Sequence, residues 1–459
     1  MRDRSAGHRA LSHAALSWLA YDWERVGDPT TRPRWPFKVY LPRSTEEVVR
    51  AVREAAAAGE RLIVRGSGHS SNGLVTAEGG AVLLTELMDR VVEIDERAGT
   101  CTMQAGVRLG DVDRRLAERG LGLKVVGDHG DLTAGGFASV GGISPASHRF
   151  GLFADTVSEL EYVDFAGEVH RCGRTDPAFR RVLAGLGRHG VITELTVEVL
   201  RIDKRRTLLR NDRIVTGKLP EFLAKAAEMV VSPGQAWYAR AFWIDLGKAG
   251  CGQISRYHPA AERADRVVRS RLARGCQRAI GAATAFLPRS AAAVAKYAGV
   301  AAMVLPPVYT TADRVERFAD ELADATVGAP TRMFITIAPA EAAAEVARGM
   351  LEACAAARRA GAIGPLTLYF KPIRSAYLSG DRDGVRHAEI TVTATVDPAR
   401  MTERVLSTVV ERIDDVALAH GAFRYLHTRT GSDPHRRRRL DPNARYGDEE
   451  SGPEARWLA

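Results

Sequence analysis

"RLIVRGSGHSSNG", residues 61–73, joins a strand pattern to a glycine loop and a histidine. The apolar run 62–64 predicts a short buried strand, because apolar β-branched residues bounded by a glycine cluster are typical of strands. Gly66 and Gly68 end this strand and let the backbone turn where a side chain would obstruct it. His69 follows at once among small residues. The pattern predicts a strand that delivers an imidazole to a bent backbone.

The segments on either side predict an α/β unit. Residues 44–59 have the pattern of an amphipathic helix, with Ser44 or Thr45 as the cap and Gly59 after the last apolar turn. A strand pattern, Phe37–Tyr40, precedes this helix, and the strand of the opening stretch follows it. Strand, helix and strand within about thirty residues indicate an α/β unit.

A second glycine-rich stretch, "GDHGDLTAGGFASVGG", covers residues 127–142. Six glycines fall within its sixteen residues, and each would cost about 1 kcal/mol inside a helix or strand. We therefore predict bent, exposed backbone here rather than the interior of an element. After Ile202 the composition changes, and strands are predicted to alternate with Ala-rich helices such as residues 340–361 and 397–421.

The charge distribution argues against nucleic-acid binding. The net charge is +9, but it comes from arginines spread along a chain that has only eight lysines. A Lys-rich arm, a zinc-type spacing and an aromatic–basic repeat are all missing from the sequence. The one dense basic run, Arg436–Arg439, lies near Asp441, and we expect a solvated, partly self-paired surface.

Cysteine usage and hydropathy predict a cytoplasmic protein. Five cysteines without a Cys-x-x-Cys pair argue against disulfides and structural zinc, and we predict no metal site. Residues 1–30 show no secretory signal. The longest apolar stretch, residues 290–305, contains Lys296 and is shorter than the roughly 18–20 residues that cross a membrane. No transmembrane segment is predicted, although a peripheral membrane contact through this stretch stays open.

The two glycine loops are suited to binding an anion. Backbone N–H groups freed at such turns form anion-binding nests, and glycine lets a pyrophosphate approach without meeting a Cβ atom. Neither loop has the Gly-x-Gly-x-x-Gly fingerprint that opens a helix, and there is no Walker lysine, which disfavours an NAD-linked dehydrogenase. From spacing alone, two tight surface turns would explain the pattern equally well.

Three motifs, in this order along the chain, favour the anion-binding interpretation over two surface turns, because they resemble those of a known family. "VRGSGHSSNGL", "DLTAGGFASVGGIS" and "GLGRHGVITELTVEV" resemble the flavin domain of the vanillyl-alcohol-oxidase-type (PCMH-type) FAD-binding oxidoreductases, and are most similar to the cytokinin dehydrogenases among them. The resemblance covers about residues 35–200. It implies FAD as the cofactor. In these families a loop histidine is joined through a ring nitrogen to the flavin 8α-methyl group, which implies a covalent link through His69. Because residues 127–136 contain no cysteine, we expect a single link.

The same resemblance assigns FAD-contacting positions and a catalytic base. It places Asp128 at the aspartate that accepts the substrate proton, which a positioned carboxylate can do as a hydride leaves the adjacent carbon. The alternative is a loop aspartate that caps backbone N–H groups, with Asp131 and His129 as further candidates for the base. The predicted cofactor-binding residues are Arg65, Gly66, Ser67, Gly68, His69, Ser70, Asn72, Asp128, Thr133, Gly135, Gly136, Ser139, Gly142, Ile143 and Ile192.

The second half is similar, more loosely, to other members of these families. "TLYFKPIRSAYLS", "ERIDDVALAHGAFRYLHTRTG" and "RRLDPNARYG" resemble the C-terminal part of decaprenylphosphoryl-ribose oxidase and the alditol and aldonolactone oxidases. This resemblance implies that Lys371 lies in the substrate cavity and His427 near flavin N1, where a cation or donor would stabilise the reduced flavin. The alternative is a surface lysine and a core histidine.

These observations predict an α+β flavoenzyme. We expect a two-subdomain FAD-binding domain (1–203), a substrate domain of mostly antiparallel sheet with helices (204–400) and a C-terminal segment that returns to the flavin (401–459). The expected reaction is hydride transfer from a C–OH bond of a small sugar-, polyol- or alcohol-like substrate to flavin N5, with dioxygen or another electron acceptor completing the cycle. Cytokinin-dehydrogenase-like oxidation of a C–N bond and flavin binding without turnover are the alternatives.

Overall fold

The predicted α+β class is confirmed in a computed structural model of the protein. The description below covers residues 17–23, 33–71, 75–245, 247, 250–269, 271, 309–317, 331–374, 386–425 and 427–441. Three sheets are formed by the strands β1 (Lys38–Tyr40), β2 (Leu62–Arg65), β3 (Ala81–Leu84), β4 (Val91–Asp95), β5 (Thr100–Gln104), β6 (Leu121–Leu123), β7 (Val157–Val163), β8 (Val169–Gly173), β9 (Val191–Arg201), β10 (Leu208–Thr216), β11 (Tyr238–Asp245), β12 (Gly250–Pro259), β13 (Tyr309–Thr311), β14 (Thr331–Pro339), β15 (Ile363–Arg374), β16 (Arg386–Val396) and β17 (Phe423–Arg424).

Helices pack against these sheets. They are α1 (Thr45–Ala57), α2 (Leu109–Ala117), α3 (Ala134–Ser139), α4 (Ser147–Phe150), α5 (Phe153–Thr156), α6 (Pro177–Val182), α7 (Leu219–Val231), α8 (Ala312–Glu316), α9 (Ala343–Arg359), α10 (Glu403–Ala419) and α11 (Pro434–Leu440). Short 3₁₀ turns lie at Ser17–Ala20, Thr85–Leu87 and Ala340–Ala342.

The first sheet is a small parallel sheet with the strand order β1-β3-β2. Helix α1 connects β1 to β2 and packs its buried residues, including Val48 and Val52, on this sheet. The Ser44 side chain accepts a hydrogen bond from the Glu47 N–H, which is a helix N-cap and stabilises the first turn by about 1 kcal/mol. The predicted strand–helix–strand unit is therefore confirmed, and β2 ends at Arg65, directly before the glycine loop.

The second sheet is antiparallel, with the order β4-β5-β9-β7-β8 and β6 paired to β9. The glycine-rich stretch 127–142 leaves this sheet and contains helix α3, Ala134–Ser139. Our prediction that no helix or strand would form in this stretch is wrong for these six residues. The cause is tertiary packing, because a Cβ atom at Gly135 would lie only 2.7 Å from the Ala105 methyl group. Glycine allows the close approach that outweighs its low helix propensity.

The third sheet has eight strands, in the order β13-β10-β12-β11-β15-β16-β14-β17, and every pairing between them is antiparallel. One face is apolar: Trp243, Phe370 and Val392 share a core with helices α7, α9 and α10. The other face turns toward the second sheet. Its residues Ile337 and Ile373 join the core of that sheet, so the sheets are packed together.

Two sequence predictions concern the surface. No helix among the described residues is long and apolar enough to cross a membrane, and the apolar stretch 290–305 lies outside those residues. The basic run belongs to helix α11, where Arg436 pairs with Asp415 and Asp441 accepts from Arg188 at 2.7 Å. Arg436–Arg439 is therefore partly paired, but its partner is Asp415 on helix α10, whereas the sequence suggested pairing within the run and with Asp441.

Candidate active site

A buried arginine, Arg65, packs against the first glycine loop. The Arg65 guanidinium donates to the carbonyl oxygens of Tyr21 and Val75, each at 3.0 Å. Gly68 lies directly over it with φ +82°, and a Cβ atom there would collide with the guanidinium. Glycine is therefore required at position 68 for both the backbone angle and the close approach. In this structure Arg65 fixes the loop, and its predicted contact with a cofactor remains a prediction.

Backbone contacts clamp the same loop on two sides. The Trp23 N–H lies 3.1 Å from the Gly68 carbonyl oxygen and 3.0 Å from that of Ser70. The Ser71 N–H and hydroxyl both donate to the His427 carbonyl oxygen, at 3.2 and 3.0 Å. Ser70 Oγ is buried without a hydrogen-bond partner. The chain near its C-terminal end therefore positions the loop, while one loop hydroxyl is left available to a ligand.

The second glycine stretch lies against the first. Gly66 packs directly on Thr133, whose hydroxyl a Cβ atom at Gly66 would strike. The Gly142 N–H donates to the Tyr425 hydroxyl at 3.2 Å, and the Ser139 hydroxyl donates within its own helix to Gly135 at 2.7 Å. Other predicted cofactor-binding residues on or beside these loops are the buried Ile143 and Ile192, together with Ser67 and Gly136.

A buried lysine links the second loop to the third sheet. Lys371 Nζ on β15 lies 2.6 Å from Asp128 Oδ2 and 2.9 Å from Glu389 Oε2 on β16. Burial alone would lower the pKa of Lys371, but the two carboxylates outweigh it and raise that pKa well above its usual value. The lysine is therefore a permanent cation. Asp128 Oδ1 is buried and unpartnered, so the carboxylate holds the lysine with one oxygen and presents the other.

His427 lies near the cluster of Asp128, Lys371 and Glu389, which is called the junction below, and its ring is neutral. Burial, reinforced by the positive charge of Lys371, lowers the pKa of His427 to about 3. Its ring makes an edge contact with Tyr425 at 4.5 Å, and its Nδ1 is buried without a hydrogen-bond partner. The sequence predicted a cation or a hydrogen-bond donor at this position, and the lowered pKa leaves the donor as the prediction. A neutral imidazole remains, which can still donate or accept one hydrogen bond.

The face of the third sheet that carries Lys371 has polar side chains in the part that extends from β15 to β10. Residues directly opposite in antiparallel strands share a face, as do residues two apart. Tyr369 lies opposite Phe242, Phe242 opposite Gln253, and Asn211 opposite Tyr257, so all five share a face with Lys371. Both side-chain amide atoms of Asn211 and the Oε1 atom of Gln253 are buried without hydrogen-bond partners. This face therefore has unused hydrogen-bonding groups.

A histidine–aspartate pair joins the first loop to the second loop at Asp131, three residues after Asp128. His69 Nε2 is 2.8 Å from Asp131 Oδ1, and the His69 ring stacks on that of His129 with centroids 4.8 Å apart. The ligand atoms of these three residues lie within 4.8 Å of one another, a geometry that could hold a metal ion. The sequence predicted no metal site, and this cluster is the one place in the described residues where such an arrangement occurs.

The structure brings the predicted residues into two neighbouring groups. Asp128 and Lys371 form an ion pair, His427 lies near enough for the charge of Lys371 to lower its pKa, and His69 projects from the first loop toward Asp131. Asn72 lies outside the described residues. The sequence interpretation missed Glu389, although one carboxylate amid the apolar alternation of "HAEITVTATV" was a usable signal. It also missed the polar residues of β10 and β12.

Comparison with known proteins identifies the first half. A family model described as "FAD binding domain" matches residues 36–173. The chain is 38% identical over 166 residues to an uncharacterized oxidoreductase, ORF5 in the fasciation locus of Rhodococcoides fascians (36% of this chain, 37% of that protein). It is 32% identical over 180 residues to cytokinin dehydrogenase 2 of Arabidopsis thaliana (38% and 36%). It is 34% identical over 182 residues to D-arabinono-1,4-lactone oxidase of Candida glabrata (38% and 34%).

Residues 36–173 match an FAD-binding domain, and the relatives that align with this part of the chain are an oxidoreductase, a cytokinin dehydrogenase and a lactone oxidase. The resemblance inferred from the three glycine-rich motifs is thereby confirmed. The alignments span little more than a third of the length of these relatives. They identify an FAD-binding domain, and the reaction and the substrate have to be inferred from the residues of the site.

Proposed function

We propose that this protein is an FAD-linked oxidoreductase that removes a hydride from a C–OH bond of a small sugar-, polyol- or alcohol-like substrate. The observation that carries this proposal is the Asp128–Lys371–Glu389 junction, in which one carboxylate oxygen of Asp128 is buried and unpartnered. A carboxylate in that state can accept a hydroxyl proton. The junction also lies between the glycine loops and the polar face of the third sheet.

The residues around the loops fit a flavin. Ser70 Oγ, Asp128 Oδ1 and His427 Nδ1 are buried polar atoms without partners, and such atoms are costly unless a ligand or water completes them. They lie on three segments that touch one another, because Ser71 bonds to His427, and Gly142, on the same glycine-rich stretch as Asp128, bonds to Tyr425. Bound FAD would supply the hydride acceptor at N5. Gly66, Gly68 and Ser70 would hold its pyrophosphate.

Each junction residue has a distinct task in this proposal. Asp128 takes the hydroxyl proton on Oδ1, since Oδ2 is occupied by Lys371. Lys371 orients that carboxylate and adds positive charge where a substrate oxygen becomes negative. His427, neutral because its pKa is lowered to about 3, can offer a hydrogen bond without adding charge.

The polar sheet face favours a hydroxylated substrate over a cytokinin-like one. Asn211 and Gln253 leave three buried polar atoms unpartnered. Leaving such an atom unsatisfied costs about 1–3 kcal/mol, and a site built to bond hydroxyls rejects analogues that lack them. An adenine with an apolar N6 substituent would leave more of these groups unpaired than a polyol or aldonolactone would. The Candida glabrata relative is named an oxidase of D-arabinono-1,4-lactone, a hydroxylated compound of the same chemical class.

A substrate panel tests this proposal and separates it from its alternatives. Flavin-loaded protein is mixed with polyols, aldonolactones, simple alcohols and an N6-alkyl adenine, each with an artificial electron acceptor, under air and without it. We expect bleaching of the flavin by a hydroxylated compound. Bleaching by the adenine alone would favour C–N oxidation, and a flavin that no compound bleaches would favour binding without turnover. Turnover that needs no added acceptor under air would identify dioxygen as the electron acceptor.

We also propose that His69 carries the flavin covalently. Acid-precipitated protein is expected to stay yellow, and the peptide containing His69 should gain the mass of FAD. His69→Ala should lose all covalent flavin and still bind FAD reversibly. A matched control is His170→Ala, because His170 also pairs with an aspartate at 2.8 Å but lies on β8, away from the loops. A colourless precipitate from fully loaded wild-type protein would refute the link.

A further inference from the structure

We propose that Asp131 is a positioning residue for covalent flavin attachment: it holds His69 in the tautomer that presents Nδ1 to the flavin 8α-methyl group. The proposal rests on the link through His69 proposed above and goes beyond it by assigning the attacking nitrogen and the residue that prepares it.

The geometry fixes the imidazole in one orientation. Asp131 Oδ1 lies 2.8 Å from His69 Nε2. The His129 ring stacks on the His69 ring at 4.8 Å with an interplanar angle of 30°, and Trp23 contacts His129 from beyond at 6.3 Å. A carboxylate at one edge and an aromatic ring on one face restrict rotation of the histidine. No hydrogen-bond partner for the opposite nitrogen, Nδ1, lies among the described residues.

The carboxylate also decides which nitrogen is nucleophilic. Burial would raise the pKa of Asp131, but the hydrogen bond and charge of His69 outweigh it and lower that pKa. Asp131 is therefore an anion at neutral pH and can only accept a hydrogen bond. Nε2 must then carry the proton, which leaves the lone pair on Nδ1. The anion also stabilises the positive charge that the ring gains when Nδ1 forms a bond, as an aspartate does for a catalytic histidine.

The attachment balances as a two-electron reaction. One bond forms, between Nδ1 and the 8α carbon. One C–H bond of the methyl group breaks, and the Nε2 proton is released through Asp131. Histidine and oxidised flavin thus combine into a linked flavin that is reduced by two electrons. The reduced flavin takes up both protons, the one from the methyl group and the one from Nε2. Dioxygen, or another two-electron acceptor, then reoxidises it and is itself reduced, to hydrogen peroxide in the case of dioxygen.

A metal ion is the competing use of the same three side chains. The ligand atoms of His69, His129 and Asp131 lie within 4.8 Å of one another, and imidazole with carboxylate is a common zinc donor set. The two uses differ in what Asp131 does. For a metal, the carboxylate is a ligand, and its loss abolishes metal binding. For attachment, its loss slows bond formation and leaves reversible FAD binding intact.

The test follows attachment in time. Flavin-free protein, produced in riboflavin-starved cells, is mixed with FAD under air, and covalent incorporation is measured by flavin fluorescence in denaturing gels. We expect Asp131→Asn to attach flavin about 10²-fold more slowly, the lower end of the range for a positioned proton acceptor. Its reversible FAD affinity should stay within about threefold of wild type. Asp131→Glu should recover part of the rate. The matched control Asp111→Asn, which loses a similarly exposed carboxylate paired with Arg114, should attach at the wild-type rate.

The outcomes separate the two proposals. An Asp131→Asn protein that attaches flavin at the wild-type rate overturns the role of Asp131 and leaves the link at His69 in place. So does a bond to Nε2, identified by NMR of the isolated flavin peptide. Wild-type protein that binds FAD without ever attaching it overturns both. If flavin-free wild-type protein binds one Zn²⁺ per chain, Asp131→Asn abolishes this, and attachment is unchanged, the cluster is a metal site and the proposal fails.

Discussion

Replacing Asp128 with asparagine is expected to slow substrate-dependent reduction of the flavin by about 10²- to 10⁴-fold, the range for loss of a positioned base. The amide keeps the shape of the side chain but cannot accept the proton that Asp128 Oδ1 is free to take. The rate is measured by mixing flavin-loaded protein with substrate anaerobically and following the loss of flavin absorbance. Lys371 keeps its second carboxylate partner, Glu389, at 2.9 Å, so the fold should survive.

Two controls show that any loss belongs to the proton transfer. FAD loading and reduction by dithionite should match wild type, because neither needs a base. The carboxylate does not cap the loop in this structure: its one hydrogen bond is to Lys371, and no backbone N–H among the described residues donates to it. A reduction rate within about threefold of wild type would mean that the proton goes elsewhere. Glu389, the other carboxylate on the same lysine, would then be tested.

Local signals explain why the loop and its surroundings could be predicted. The Ser44 cap, the carboxylates of the first turn and Gly59, which has φ +64° after helix α1, all act within a few residues. The apolar run of β2 ends at the glycine loop for reasons equally local. Such features determine an element before any long-range contact forms, so one sequence is enough to locate them.

Contacts between distant segments could not be predicted in the same way. Asp128 and Lys371 are 243 positions apart, and the ion pair depends on which face of β15 turns toward the second loop. Strand periodicity gives that face only once the neighbouring strands are known. Resemblance supplied the two residues, but it did not supply Glu389. The charge state of His427 could not be predicted for a related reason, since burial and the charge of Lys371 lower its pKa and sequence does not show burial.

The last prediction concerns stability. Lys371 is only 2% exposed and lies between Asp128 and a Glu389 that is 4% exposed. Removing one partner of a buried ion pair costs about 3–5 kcal/mol, because the remaining charge is left uncompensated. We expect Lys371→Met to lower the free energy of unfolding by about that amount near pH 8, measured by urea denaturation. Lys225→Met, which removes an exposed pair with Glu228, should cost about 0–1 kcal/mol.

The pH dependence of this loss identifies its cause. Without the cation, the carboxylates of Asp128 and Glu389 are left close together without a positive partner, and protonating either one removes the repulsion between them. A group whose pKa is raised by folding contributes full stability below its unfolded pKa and loses it as the pH rises. The deficit of Lys371→Met should therefore be smaller at pH 5 than at pH 8. Adding Glu389→Gln should recover part of it, because one of the two unpaired charges is gone. A deficit that is independent of pH, and unchanged in the double variant, would mean that lost packing rather than buried charge weakens the protein.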